Sequence, residues 1–159
     1  MNKKFVIAIS AVCLVAVAAM IVALSLSGKT EKPQFTPPPF EAAAQVGTPT
    51  VEDTSWGKIY QSGMSFVAYM CGKVTVSGTG ADLYFTNDAG NNAWLKLRIM
   101  DENEKVLAET GLLKPGEYLQ TVQFTTVPTS GQQITMKIMG YEPETYHSIG
   151  AVALNTVVE

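Results

Sequence analysis

Residues 93–101 read Ala-Trp-Leu-Lys-Leu-Arg-Ile-Met-Asp, and the alternation inside that stretch decides the fold. Leu95, Leu97 and Ile99 fall on one side of an extended chain, with Lys96, Arg98 and Met100 on the other. Successive side chains of a strand point to opposite faces, so this two-residue period describes a sheet with one wet face. The same period returns at Val122 and Phe124 among Thr121, Gln123 and Thr125. It returns again at Ile134, Met136 and Ile138 among Thr135, Lys137 and Met139.

Turn chemistry separates these runs at Gly78-Thr79-Gly80, Asn87 to Asn92, Asp101 to Glu104, Pro115-Gly116, Pro128 to Gly131 and Glu142-Pro143. Strands are therefore predicted at residues 64–70, 73–78, 81–87, 93–100, 105–110, 117–126, 132–141 and 148–158. Short strands at intervals of roughly 8–12 residues predict an all-β domain over 56–159, an immunoglobulin-like two-sheet antiparallel β-sandwich.

Upstream the composition changes twice. Residues 28–55 carry Pro33, Pro37, Pro38, Pro39 and Pro49 among Thr, Glu, Gln and Ala, which predicts an extended extracytoplasmic linker. Within it, Glu41 to Gln45 has room for one helical turn but not for a stable helix. Residues 1–27 open with Lys3 and Lys4 and continue as an uncharged run from Phe5 to Leu26. That run is long enough for a single-pass transmembrane helix, with the basic flank on the cytoplasmic side. The alternative is a cleaved signal sequence, with Ser25-Leu26-Ser27 as the processing site. Both readings put the β domain outside the membrane, anchored in one case and secreted in the other.

Charge and cysteine usage narrow the function. The chain has 11 basic and 14 acidic residues. After residue 49 seven basic residues face twelve acids, so nucleic acid is not an expected partner. Cys13 falls in the hydrophobic segment and Cys71 in the β domain, so no bridge joins them and Cys71 is expected as a small buried hydrophobe.

Catalytic equipment is sparse. His147 is the one histidine, and its neighbour Ser148 would project to the opposite face of a strand, so a surface histidine is expected rather than a general base. One histidine and one domain cysteine cannot assemble a zinc site. The Asn87–Asn92 loop offers oxygen ligands without the acidic density of a calcium loop, and an Asx-rich hairpin turn is the simpler expectation, with calcium as the alternative. No enzyme, cofactor or metal is expected. Trp94 is out of phase with Leu95, Leu97 and Ile99, so an outward Trp94 near Tyr84 is the candidate contact surface. The competing expectation is packing of these rings against the Trp56–Tyr69 segment.

One motif carries a resemblance. Glu109-Thr110-Gly111-Leu112-Leu113-Lys114-Pro115-Gly116, with Leu83 to Asn87 and Leu95 to Ile99 before it, resembles an uncharacterised family of small exported β-sandwich proteins of Gram-positive bacteria. Val122, Phe124, Gly131 and Tyr141 continue the pattern over roughly residues 72–159, while Gln133 stands where that family often has an aromatic. The local physics of the motif predicts a positive φ at Gly111, an apolar corner at Leu112-Leu113 and a type II turn at Pro115-Gly116. The resemblance implies a cell-surface domain of unassigned role. The expected function is non-enzymatic contact with a protein or the cell wall; the alternative is an accessory subunit of a membrane secretion or conjugation complex.

Overall fold

The structure, a computed structural model, describes residues 35–159. The predicted membrane segment (1–27) and the start of the predicted linker lie outside the described residues. Pro37–Glu159 forms one compact unit. Its strands are β1 (Gln45–Val46), β2 (Trp56–Ile59), β3 (Ala68–Cys71), β4 (Val76–Ser77), β5 (Gly80–Asn87), β6 (Trp94–Asp101), β7 (Val106–Glu109), β8 (Glu117–Gln123), β9 (Gln133–Tyr141) and β10 (Ser148–Val157). They form two sheets in the orders β1-β8-β5-β3-β2, with β4 beside β5, and β10-β9-β6-β7. Every strand pair is antiparallel. The sheets pack face to face over a shared core that includes Met70, Leu83 and Phe85 from the first and Leu97, Ile99, Met136 and Ile138 from the second. The apolar row of the opening stretch is buried throughout, as its period predicts: Leu95, Leu97 and Ile99 are inaccessible to solvent.

The corner between β5 and β6 is tied by a buried carboxamide. Asn87 ends β5 on the core side and has no solvent exposure. Its Nδ2 donates to the carbonyls of Ala93 and Leu113, both at 2.8 Å, and its Oδ1 accepts from Asn91 Nδ2 at 2.6 Å. Asn91 in turn brackets Val67, donating to its carbonyl and accepting from its amide. A buried amide costs several kcal/mol if left unpaired, and here both N–H groups and the oxygen are used. The loop is thus an Asx-rich turn, with Asp88 Oδ1 taking the Gly90 amide. It is not a hairpin, because β5 and β6 belong to different sheets.

The folded unit begins earlier than residue 56. Phe40 bridges Leu112 in parallel, β1 pairs with β8, and the Glu41 amide donates to Leu112 O while Leu112 donates to Pro39 O. Glu41 Oε2 accepts from the Gly111 amide at 2.7 Å. The Pro37–Ser55 stretch read as spacer is therefore largely docked on the sheets. Composition signalled proline-rich and irregular; it carried no signal of where the irregular chain would lie. Of Glu41 to Gln45 only a single turn survives, closed by the Ala44 amide to Glu41 O.

Gly111 is explained by this docking. It is not among the glycines with positive φ. Instead a Cβ there would sit 2.5 Å from the Glu41 backbone nitrogen and 2.7 Å from the Phe40 carbonyl carbon. Gly116, by contrast, has φ +78°, and the Glu117 amide closes the predicted type II turn on Lys114 O.

Two substitutions test this frame by chemical denaturation of the full chain. Gly111→Ala drives a methyl into backbone and is expected to cost about 2–3 kcal/mol, with the Glu41 and Leu112 amides losing hydrogen-exchange protection first. Asn87→Ala breaks three bonds and orphans the Ala93 carbonyl, for an expected loss of about 3 kcal/mol. An unchanged midpoint in either variant contradicts the account of that residue.

Candidate functional site

β1 and β2 occupy opposite edges of the first sheet, about 19 Å apart at ordinary strand spacing. The nine residues Gly47–Ser55 between them are long enough to cross it and form a strap over its outer face. Pro49 is the buried residue of the strap. Cys71 is buried too: it shares its side of β3 with Tyr69, is the register partner of Trp56, and lies outside the central apolar cluster. Burial, reinforced by the nearby Asp53 carboxylate, pushes the Cys71 thiol up to about 11, so it remains protonated and inert at neutral pH.

Two clefts flank the strap. One, of about 480 Å³, is lined by Val46, Gly47, Thr48, Trp56, Tyr69, Thr86, Asn87, Asp88, Ala89 and Gly116. Trp56 and Tyr69 stack in it, with ring centroids 5.1 Å apart and planes inclined by 18°. A bulge at Leu83–Tyr84 fixes the tryptophan. The β5–β8 register slips between Asp82 and Phe85, Tyr84 takes φ +49°, and its carbonyl accepts from Trp56 Nε1 at 3.3 Å. The cleft thus combines a pinned aromatic wall, an irregular backbone rim and one charged side chain, Asp88. The second cleft, of about 470 Å³, is polar and is lined by Glu52, Asp53, Lys73, Asp82 and Tyr84 among others.

The structure separates the two residues of the predicted contact surface. Tyr84 belongs to β5 in the first sheet and lines the polar cleft beside the strap. Trp94 belongs to β6 in the second sheet and points away from the core, as its phase predicts. They face outward from opposite sheets and make no common surface. Trp94 is instead packed edge-on by Phe40 at 4.8 Å and by Tyr146 at 5.1 Å, with Lys114 Nζ 4.7 Å from the Phe40 ring centroid. Sequence reasoning missed the Trp56–Tyr69 cleft because its other wall comes from the stretch read as linker.

The outer face of the second sheet concentrates positive charge. Arg98 stands directly opposite Lys137, with Lys96 one step along the same face. Glu109 is the acid among them, bonded by both Lys96 and Arg98. Burial alone would raise the Glu109 carboxyl, but hydrogen bonds from Lys96 and Arg98, then their charges, outweigh it and hold it below its usual range. The His147 side chain is 82% exposed, with Nδ1 3.7 Å from Glu142 Oε2, while its backbone amide donates to Thr145 Oγ1. Among the described residues no three His, Cys, Asp or Glu side chains converge as metal ligands. Searches against family models, known proteins and solved structures found no match to this chain.

Glu109→Gln is expected to cost about 1 kcal/mol at neutral pH, because Lys96, Arg98 and Lys137 then repel without a counter-charge. A depressed folded pKa contributes stability that is present above the unfolded carboxylate pKa and lost as pH falls through the folded value. The gap between wild type and variant should therefore close in acid, below about pH 4. A gap independent of both pH and salt, measured by thermal unfolding, contradicts this assignment.

Proposed function

We propose that this chain is a non-enzymatic, membrane-anchored extracellular module whose immunoglobulin-like β-sandwich binds a protein or a cell-wall polymer. The observation that carries the reading is the aromatic cleft beside the strap. Its volume, its mixed apolar and polar rim, and a Trp–Tyr pair held from behind by a backbone carbonyl are what a recognition groove uses. Aromatic rings fixed before binding lose little conformational entropy on contact, so they serve as anchors. Asp88 is the one ionisable carboxyl lining that cleft, and it is committed to the Gly90 amide, so the site offers recognition chemistry rather than an acid–base pair.

Three features support the finer parts of the proposal. Strands β5, β6, β8 and β9 alternate between sheets in the Greek-key manner of immunoglobulin-like domains. The Phe5–Leu26 run and its lysine flank favour an anchor with the domain outside the cell. The Glu109–Gly116 motif is similar to that of exported Gram-positive surface domains.

The test uses the full chain in detergent, co-sedimented with purified cell-wall sacculi, alongside in-cell photocrosslinking from position 48 at the cleft rim. Wild type is expected to bind the wall polymer or to give one dominant protein adduct. Ala89→Arg, which fills the cleft and leaves the Trp56–Tyr69 stack in place, is expected to weaken that contact at least tenfold. Equal binding or crosslinking by the two proteins would falsify the cleft as the recognition surface.

A further inference from the structure

Strand β10 is an open edge of the second sheet, and its ladder parity shows which groups are free. The Val158 amide donates to Gln132 O at 3.0 Å. In an antiparallel pair, hydrogen-bonded and non-bonded positions alternate. Even-numbered residues of β10 therefore turn their backbone groups to β9, and Ala151, Ala153, Asn155 and Val157 turn theirs outward. The outward side is closed at one end, where the Glu159 amide donates to Val74 O at 2.9 Å and Val74 bridges Val158 in parallel. At the other end the register slips between Ser148 and Gly150, and Gly150 takes φ +125°. Between those limits three residues, Ala151, Ala153 and Asn155, turn backbone donors and acceptors to solvent that no strand among the described residues pairs.

Edge strands are normally blunted by charge, proline or short length. The opposite edge follows that rule, since β7 has four residues and ends in Glu109. β10 has ten residues and neither charge nor proline from Ser148 to Val158. We infer that β10 pairs with β10 of a second copy of this chain, antiparallel about a two-fold axis at Ala153. An isologous contact requires an edge that tolerates itself. In this register Ala153 meets its own mate and Ala151 meets Asn155, so no charge faces a like charge. About six backbone hydrogen bonds form, two per opposed pair. Lys137, the register partner of Ala153 on β9, lies three strand spacings from its symmetry mate, about 14 Å, beyond the screening length at physiological salt. The two four-stranded sheets then become one continuous sheet, and the strapped clefts remain open on the other sheets. The inference is independent of what those clefts bind.

The test is the molar mass of the full chain in detergent micelles, by light scattering at tens of micromolar. Wild type is expected as a dimer. Ala153→Pro removes an amide that makes no bond to β9, so the fold should persist while the dimer dissociates. Ala153→Lys, which opposes two ammonium groups at the axis, should weaken the dimer at least tenfold with unchanged circular dichroism. Opposed bonded residues have Cα atoms about 5.5 Å apart, within disulfide reach. Ala153→Cys should therefore crosslink on mild oxidation, above any crosslinking of the wild-type chain, while Val106→Cys on β7 should not. If either of the proline and lysine variants unfolds, crosslinking of Ala153→Cys decides alone. A monomeric wild type, a dimer that both folded axis variants leave intact, or an Ala153→Cys chain that does not crosslink would overturn the inference.

Discussion

One side chain holds the two sheets in register at the end where the aromatic cleft opens. The Asn87 carboxamide reaches from the last residue of β5 to Ala93 at the head of β6 and to Leu113 in the chain that leads to β8. Leu113 is itself paired with Leu95 through two backbone bonds, so the amide joins an existing ladder rather than making one. Dispersion and apolar burial press the sheets together but do not fix their relative position, because those forces have no direction. A fully satisfied buried amide is directional, and a shift between the sheets would strand its donors. The Asn91 bracket on Val67 extends the same constraint to the approach of β3.

The second constraint is steric. Gly111 allows the incoming chain at Phe40 and Glu41 to lie against the sheet at backbone distance. From there the path is set in sequence. Phe40 caps Trp94, β1 adds to β8, the strap crosses the first sheet, and Trp56 hooks the bulge at Tyr84. Each step depends on the one before it, so a missing Cβ at position 111 shapes a cleft built by residues far from it in sequence.

Most of the sheet architecture was legible from periodicity. β5, β6, β9 and β10 fall within a residue or two of the predicted spans, because turn residues bracket them and each turns one face to the core, fully buried in β6 and β9 and partly buried in β10. β1 and β2 were not legible. Gln45–Val46 is exposed on both faces, and the Trp56–Ile59 strand is only half-buried, so neither alternates. The glycine in the Thr110-Gly111-Leu112 motif was legible as a requirement but not as a mechanism. A turn glycine and a close-approach glycine look alike until the chain that passes over them is known. The candidate site failed for a related reason. Phase correctly turned Trp94 outward, but phase within one strand carries no information about which sheet that strand joins, and Tyr84 lies in the other one. The bulge at Tyr84 is a slip in the β5–β8 pairing that leaves the inward row Ala81, Leu83, Phe85 and Asn87 intact, so side-chain period could not reveal the feature that secures the tryptophan of the cleft.

The docked N-terminal segment also bears on where this protein can be divided. A fragment starting at residue 56 would keep all the long strands, yet it would uncover Leu112 and Cys71, strip Phe40 from Trp94 and remove one wall of the aromatic cleft. Such a piece would expose greasy patches that the intact chain hides, and its aromatic cleft would lack Val46, Gly47 and Thr48. Pro37 is the natural left-hand margin of the compact unit.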